Sequence, residues 1–183
     1  MTRLHTPRWA WALTGSGHFF IESFELIRTL KHCDVFVSKA ANEVLRMYKR
    51  ELDFPATTRV LHDKTASSVP VGGFYSGVYH TAVIAPATSN TVAKCVAGIS
   101  DSLPTNVYAQ AGKCRIPSIV FACDTAPELE TMSPGGMVKV YPRPIDLENT
   151  EKLKHYEWTL VVESLAELVE VIERRQSELG GDE

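Results

Sequence analysis

The segment of residues 82–98 constrains the fold of this chain most strongly, because an apolar run passes directly into a polar helix start. Residues 82–85 are Ala-Val-Ile-Ala, which predicts a short buried strand. Residues 92–97 have helical composition, and Gly98 follows as a helix terminator. A strand that leads through a short turn into a helix is the repeating unit of a parallel α/β sheet, which binds ligands at the carboxyl ends of its strands.

The turn between this strand and this helix is rich in small hydrogen-bonding groups. It comprises Pro86, Ala87, Thr88, Ser89, Asn90 and Thr91. Their side chains stand beside the first N–H groups of the helix, which lack intrahelical partners and carry the positive end of the helix dipole. A phosphate group would satisfy these donors together. The same residues also fit a plain turn, with Ser89 or Asn90 as an N-cap and Pro86 as a turn residue.

A second strand-like segment ends in a glycine turn. Residues 8–14 are mainly apolar and lead into Gly15, Ser16 and Gly17, after which a helix is predicted. The two glycines can adopt positive φ and allow a ligand to approach the backbone closely. The third glycine of the dinucleotide fingerprint is missing, because Phe20 stands in its place. The turn alone therefore fits either a ligand site or an ordinary left-handed turn.

A third strand end has the same character. Residues 34–37 have a buried-strand pattern that ends at Ser38, and residues 40–50 are helical in composition. Ser38 can donate to the same phosphate as the other two turns. Three strand ends of this kind together indicate a mononucleotide cradle at one edge of a sheet.

Strand and helix patterns alternate along most of the chain, which favours an α/β fold with a mainly parallel sheet covered on both faces. Strands are predicted near residues 8–14, 34–38, 81–85, 116–122, 137–141 and 158–163. Residues 65–79 and 124–136 are predicted as loops of a length typical of functional lids. In the first loop, Phe74 and Tyr75 can stack on a planar ligand or pack against a neighbouring subunit. Residues 180–183 are predicted to be a disordered tail.

Composition bounds the class of protein. A length of 183 residues suits one domain with a single core, covering residues 1–183. The net charge of -3 gives no electrostatic reason to expect nucleic acid or an anionic membrane as a partner. No apolar run approaches the roughly 20 residues that cross a bilayer, and the first residues lack the apolar core of a signal peptide. We therefore expect a cytoplasmic location.

The cysteines do not form a recognisable metal or redox motif. Cys33, Cys95, Cys114 and Cys123 are widely and irregularly spaced, so we expect no metal site. Cys123 is distinctive because it follows the apolar run of residues 116–122 and thus lies at a further strand end. It is interpreted as either a structural thiol or a reactive one.

These motifs, together with residues 98–105, resemble the FMN-binding flavoprotein family that includes the cysteine decarboxylases and the flavin prenyltransferases. Residues 86–91 stand close to the PASANT motif of that family, and the resemblance covers about two-thirds of the chain. It implies a flavodoxin-like (Rossmann-like) three-layer sandwich, non-covalent FMN, and trimers or multiples of trimers with the flavin near a subunit boundary. The implied FMN-binding residues are Gly15, Ser16, Gly17, Ser38, Pro86, Ala87, Thr88, Ser89, Asn90, Thr91, Cys123 and Asp124.

Two departures from the family pattern disfavour decarboxylase or prenyltransferase activity. The cysteine decarboxylases carry a histidine before the third major strand, whereas residues 69–75 here contain none. They also carry a Pro-x-Met-Asn segment after the next strand, and residues 122–128 do not match it. His80 is near in sequence but does not match the family position, so it is interpreted as structural.

The chain as a whole is similar to a branch of archaeal-type flavoproteins that includes the dihydromethanopterin reductases. This similarity implies an FMN-dependent oxidoreductase that transfers hydride to the C=N bond of a dihydropterin, forming tetrahydromethanopterin from dihydromethanopterin. The implied partners are a pterin-type substrate and an electron donor, either NAD(P)H or a reductase. No catalytic residue is identified, although Asp124 and Glu128 are carboxylates in the relevant loop. The alternative is a flavodoxin-like electron carrier that binds FMN but no organic substrate.

Overall fold

The structure is a computed structural model that describes residues 6–64, 70–133 and 135–180. Strands and helices alternate along these ranges. The strands are β1 (Arg8–Leu13), β2 (Cys33–Val37), β3 (Arg59–His62), β4 (Tyr79–Ala87), β5 (Ser118–Ala122), β6 (Leu129–Ser133), β7 (Gly136–Val140) and β8 (Thr159–Val162). The helices are α1 (Phe20–Thr29), α2 (Lys39–Met47), α3 (Ser89–Ala97), α4 (Leu103–Lys113), α5 (Pro144–Leu153) and α6 (Leu165–Gly180), with a 3-10 helix at Pro70–Phe74.

The central sheet has six strands in the order β3-β2-β1-β4-β5-β8, and each neighbouring pair is parallel. The chain winds outward from β1 through β2 to β3, and then returns to the other side of β1 with β4. The point where the winding reverses therefore lies between β1 and β4. An open α/β sheet binds its ligands at such a switch point, outside the carboxyl ends of the strands.

Two apolar layers cover the sheet. On one face, Trp11 and Phe121 of the sheet pack with residues of α1, α2 and α6. On the other face, Ile84 and Val120 pack with residues of α3, α4 and α5. The strands of the sheet centre are almost completely buried, as expected for parallel strands covered on both sides. The predicted α/β class and flavodoxin-like three-layer sandwich are confirmed.

The predictions outside the sheet centre need correction. Residues 137–141 do not extend the central sheet, because β7 pairs antiparallel with β6 in a separate two-stranded sheet. The predicted loop of residues 124–136 therefore contains a strand, β6. The strand β3, at the edge of the sheet, was not predicted. Gly180 ends α6 and is not part of a disordered tail, while residues 181–183 lie outside the described residues.

The predicted loop of residues 65–79 is partly ordered by the 3-10 helix, and residues 65–69 lie outside the described ranges. Phe74 is buried, with its ring 4.7 Å from the ring of Tyr79, so it belongs to the core rather than to a stacking surface. Tyr75 is exposed and its hydroxyl donates to Gln110. No helix within the described part of the chain is long and apolar enough to span a membrane.

Candidate functional site

The carboxyl ends of four adjacent strands bring the predicted residues to one edge of the sheet. The turn of residues 15–17 follows β1, Ser38 follows β2, residues 88–91 follow β4, and Cys123 follows β5. Because β1 and β4 are the two strands at the switch point, their turns flank the crevice of the sheet. The site is built around this crevice.

Thr14 joins the two sides of the crevice. This buried residue donates from its Oγ1 to the carbonyl oxygen of Pro86 at 2.6 Å and accepts from the N–H of Thr88 at 3.2 Å. Pro86 and Ala87 are buried residues of β4, not turn residues as the sequence suggested. Sequence reasoning missed the role of Thr14, whose signal is a hydroxyl at the end of an apolar strand.

The first turn of α3 presents free backbone donors. Thr88 is the N-cap, because its Oγ1 accepts from the N–H of Thr91, so neither Ser89 nor Asn90 is the cap. The N–H groups of Ser89 and Asn90 occupy the next two positions, and no described residue accepts from them. Together with the positive end of the helix dipole, these donors favour an anion.

The glycine turn after β1 is shaped by close contacts that only glycine permits. A Cβ added to Gly15 would overlap the Cβ of Ala40 at the start of α2. A Cβ added to Gly17 would lie 2.8 Å from the Tyr48 hydroxyl and 3.1 Å from the Met132 carbonyl oxygen. No acceptor among the described residues pairs with the backbone N–H groups of residues 15–17, so this turn also presents free donors.

Ser38 lies beside the same turn and caps α2. Its Oγ accepts from the N–H of Ala41 at 2.9 Å, and its own N–H donates to the carbonyl oxygen of Leu13 at 3.2 Å. The hydroxyl hydrogen of Ser38 is not used in either bond and can donate to a ligand. The hydroxyl of Ser16, in contrast, donates to the carbonyl oxygen of His18 at 3.2 Å.

Cys123 packs against the glycine turn from β5. It is buried, its N–H donates to the carbonyl oxygen of Ala87 at 3.1 Å, and its Sγ lies 3.9 Å from the carbonyl oxygen of His18. Burial raises the pKa of this thiol to about 12, although a hydrogen bond with Ser16 opposes the rise. A buried, protonated thiol is a packing group rather than a nucleophile at neutral pH.

Asp124 introduces a negative charge at the mouth of the crevice. It is half-buried, and its carboxylate accepts a hydrogen bond from the Ser89 hydroxyl. A phosphate placed directly on that hydroxyl would meet the carboxylate at close range, which is unfavourable. The donor set therefore fits a phosphate held by the backbone of residues 15–17, Ser38 and the first N–H groups of α3, away from the Asp124 carboxylate.

His18 was not identified from the sequence, although it directly follows the glycine turn. Its half-buried ring lies against the ring of Phe19, with centroids 3.7 Å apart. Burial lowers the pKa of His18, while the carboxylates of Asp124 and Glu22 raise it by a smaller amount. Phe19 adopts a left-handed conformation, with φ 57°, which is uncommon for a large side chain and turns the backbone into α1.

Two other candidates lie away from the crevice. His80 is near the amino end of β4, with its ring 5.0 Å from the Trp9 ring and its Nδ1 2.9 Å from the Thr81 Oγ1. Burial, together with the charge of Arg175, lowers the pKa of His80 to about 4. Glu128 is exposed and forms an ion pair of 2.6 Å with Lys139 of β7.

Comparisons with known proteins agree with the fold. The Flavoprotein family model matches residues 1–179. An uncharacterised protein of Methanocaldococcus jannaschii is 34% identical over 172 residues, which cover 89% of this chain and 92% of that protein. A dihydromethanopterin reductase (acceptor) of Methanosarcina mazei is 39% identical over 131 residues, covering 64% of this chain and 55% of the reductase. The chain therefore spans about half the length of that reductase.

Solved structures have the same fold. DmrB of Burkholderia xenovorans, a cubic protein cage for redox transfer in complex with FMN, is 51% identical, with a TM-score of 0.84 over 95% of this chain and 97% of DmrB. Phenylacrylic acid decarboxylase from Aquifex aeolicus is 20% identical, with a TM-score of 0.65 over 86% of this chain and 81% of the decarboxylase, a likeness that extends to the fold alone. On the match over residues 1–179, the chain belongs to the Flavoprotein family.

Proposed function

We propose that this chain is an FMN-dependent reductase that transfers hydride to a dihydropterin, forming tetrahydromethanopterin from dihydromethanopterin. The carrying observation is a set of backbone donors at the β1/β4 switch point that pair with no acceptor among the described residues, in a chain 51% identical to a protein crystallised with FMN. Its membership of the Flavoprotein family supports the same cofactor. The named reductases among its relatives support the pterin substrate.

The residues of the crevice have distinct parts in this function. The backbone of residues 15–17, the Ser38 hydroxyl and the N–H groups of Ser89 and Asn90 would hold the phosphate. Hydrogen bonds to a charged group contribute about 1.5–3 kcal/mol each, so these few donors suffice for tight retention without a nearby lysine or arginine in the glycine turn. When bound, FMN supplies the hydride chemistry, and the protein contributes binding, orientation and exclusion of water.

We also propose that the chain assembles with copies of itself, as a trimer or a multiple of trimers. The cubic cage formed by DmrB supports this assembly. The β6–β7 hairpin adds further support, because Met132, Met137 and Val138 are exposed there and large apolar side chains on a surface favour protein contacts. A cytoplasmic location, a single domain, and NAD(P)H or a reductase as electron donor stay predictions.

The function is tested with purified protein and its reduced cofactor. We expect a yellow protein with one FMN per chain by absorbance, whose chemically reduced form is reoxidised by dihydromethanopterin in the absence of oxygen. A spectrum without flavin, even after FMN is added, would contradict the proposal. Reoxidation by ferredoxin-like acceptors but not by the dihydropterin would identify an electron carrier instead.

The phosphate cradle is tested by substitution in the glycine turn. Ser16→Leu should give a folded but colourless protein, because a bulky side chain there obstructs the turn while the sheet does not depend on the hydroxyl. Ser89→Leu should act in the same direction at the start of α3. Ser177→Leu, on the exposed side of α6, is the matched control and should stay yellow. Full FMN content in both cradle variants would rule out the assigned position of the phosphate.

A further inference from the structure

The imidazole of His18 is the ionisable ring at the β1/β4 crevice that the fold does not itself use. Its backbone carbonyl oxygen contacts Ser16 and Cys123, so the backbone at His18 is anchored from two different strand ends. The ring is packed on one side by Phe19. No hydrogen bond joins its two nitrogens to any residue in the described part of the chain. Both nitrogens are therefore free to meet a ligand in the crevice.

Four other ionisable groups near this edge are already engaged within the protein. The Asp124 carboxylate accepts from the Ser89 hydroxyl, and Glu128 is paired with Lys139 on the hairpin. The hydroxyl of Tyr48 lies 3.4 Å from the carbonyl oxygen of Met132, where it donates a hydrogen bond. The thiol of Cys123 is held protonated by burial, which raises its pKa to about 12.

The charges that act on His18 come from two segments. Glu22 lies in the first turn of α1, and Asp124 follows β5; both carboxylates favour the protonated ring. Arg143, at the start of α5, is electrostatically coupled to Asp124 and is itself paired with Asp146. Burial is the larger effect and lowers the pKa of His18 below its usual value. A lowered pKa makes the protonated ring a stronger acid but reduces the protonated fraction near neutral pH, so proton donation by His18 is favoured below its pKa.

We infer that His18 is the general acid of the proposed reduction, a role that rests on the proposed function. The carbon of the substrate C=N bond takes up hydride from the reduced cofactor, and the π electrons of that bond move to the nitrogen. The nitrogen then forms a bond to the proton of the His18 imidazolium, whose N–H bond breaks. His18 becomes neutral and regains a proton from solvent before the next turnover, so charge and atoms balance.

The inference is tested by anaerobic mixing of reduced protein with dihydromethanopterin. Single-turnover reoxidation should slow by about 100-fold in His18→Gln, the lower range for loss of a general acid, whereas FMN content stays at one per chain. In the unsubstituted protein the rate should fall as pH rises through the pKa of His18. In His18→Gln this dependence should disappear. His155→Gln is the matched control, because His155 is exposed just after α5, and it should keep the original rate and pH profile.

A second measurement reports on the ring directly and does not depend on turnover. Titration of the histidine signals by NMR in the FMN-loaded, oxidised protein should give a pKa for His18 below 6.5. In Asp124→Asn this pKa should be lower still, because a carboxylate that favours the protonated ring has been removed. A His18 that titrates with the same pKa in both proteins would overturn the electrostatic part of the inference.

The two proposals fail in different ways. If the reduced, unsubstituted protein is not reoxidised by the dihydropterin, the proposed function is wrong and the inference is lost with it. If that protein reacts and His18→Gln reacts at the same rate with the same pH profile, His18 is not the general acid, while the proposed function stands. Loss of FMN from His18→Gln would make His18 a cofactor-binding residue and would also overturn the inference.

Discussion

Polar residues lie at both the amino ends and the carboxyl ends of the strands in the central sheet, but their hydrogen-bond partners differ. At the amino edge, Asp34 is completely buried and accepts from Arg8 at 2.6 Å, from Arg59 at 2.8 Å and from Tyr79 at 2.7 Å. Arg8, Arg59 and Tyr79 are the first residues of three other strands, so this one carboxylate links four strands. Its hydrogen bonds are made within the protein, which is the mark of a structural group.

At the carboxyl edge the polar groups are smaller and several lack partners. The backbone donors of residues 15–17 and of the first turn of α3 point to no acceptor among the described residues. Exposed polar groups of this kind are satisfied by water or by a ligand. The comparison teaches that the two edges differ in the hydrogen-bond partners of their polar groups rather than in polarity. The edge whose groups pair within the protein stabilises the fold, and the other is the edge proposed to bind the ligand.

Among these substitutions, the largest loss of stability is expected at Asp34, at the amino edge. Asp34→Asn keeps the volume of the side chain but leaves Arg8 and Arg59 without their shared negative charge. We expect a loss of about 3 kcal/mol in the free energy of unfolding, measured by urea titration, because removal of one partner from a buried ion pair is strongly destabilising. FMN content per folded molecule should not change, since the two edges are separate.

The control for this substitution is Asp53→Asn. Asp53 is highly exposed and pairs with Arg28 at 3.1 Å, so its loss should change the free energy of unfolding by less than about 1 kcal/mol. If Asp34→Asn were no more destabilising than Asp53→Asn, the amino edge would not have the structural role assigned to it.

Gly15→Ala tests the opposite edge. The added methyl group would overlap the Cβ of Ala40, and overpacking of this kind costs about 1–3 kcal/mol. Because the strain forces the turn away from α2, we expect FMN affinity to fall together with the melting temperature. Gly112→Ala is the control, since a Cβ in that exposed position of α4 meets nothing and should raise helix stability by roughly 0.5–1 kcal/mol. Unchanged FMN affinity in Gly15→Ala would show that the close approach of this turn to α2 is not needed for binding.

The smallest expected effect concerns His80, at the amino edge. Its pKa is lowered to about 4 in the folded chain, whereas an unfolded histidine titrates near 6.5. Between these values the unfolded chain binds more protons, so stability is fully present above pH 6.5 and is lost as pH falls toward 4. Because His80 is partly exposed, we expect a contribution of only about 1 kcal/mol. Urea titrations at pH 7 and pH 5 should show a smaller decrease in His80→Gln than in the unsubstituted protein, and an equal decrease would contradict the assignment.

Much of the central sheet can be predicted from the sequence, because buried parallel strands are continuous apolar runs. The strands β1, β2, β4, β5 and β8 are of this kind, and their predicted positions agree with the structure to within a few residues. The strand β3 is a short edge strand with the sequence Arg-Val-Leu-His, which carries no such signal. In the β6–β7 hairpin the strands are half exposed and lack a continuous apolar run. Only the second strand was predicted, although Pro134 and Gly135 between the two are a recognised turn dipeptide.

The structure brings together most of the residues that the sequence singled out for the candidate site. The residues that follow the strands were found because strand ends with small polar residues are visible in sequence. Thr14 and His18 were missed. The hydrogen bonds of Thr14 join it to β4, which is distant in sequence. His18 stands out only because its ring nitrogens have no hydrogen-bond partner among the described residues, which the sequence does not show. The N-cap of α3 lies one or two residues before the alternatives Ser89 and Asn90, because all three residues are competent caps and only the backbone geometry selects Thr88.

The two hydrogen bonds of Thr14 have a consequence for selectivity. One hydroxyl links the end of β1 to the end of β4. The distance between these two strand ends is therefore set by the folded protein rather than by a ligand in the crevice. A bulkier anionic group cannot be admitted by parting these strands without the loss of both bonds. If the proposed site is correct, discrimination by size would come from the sheet itself, and the surrounding turns would discriminate by charge and shape.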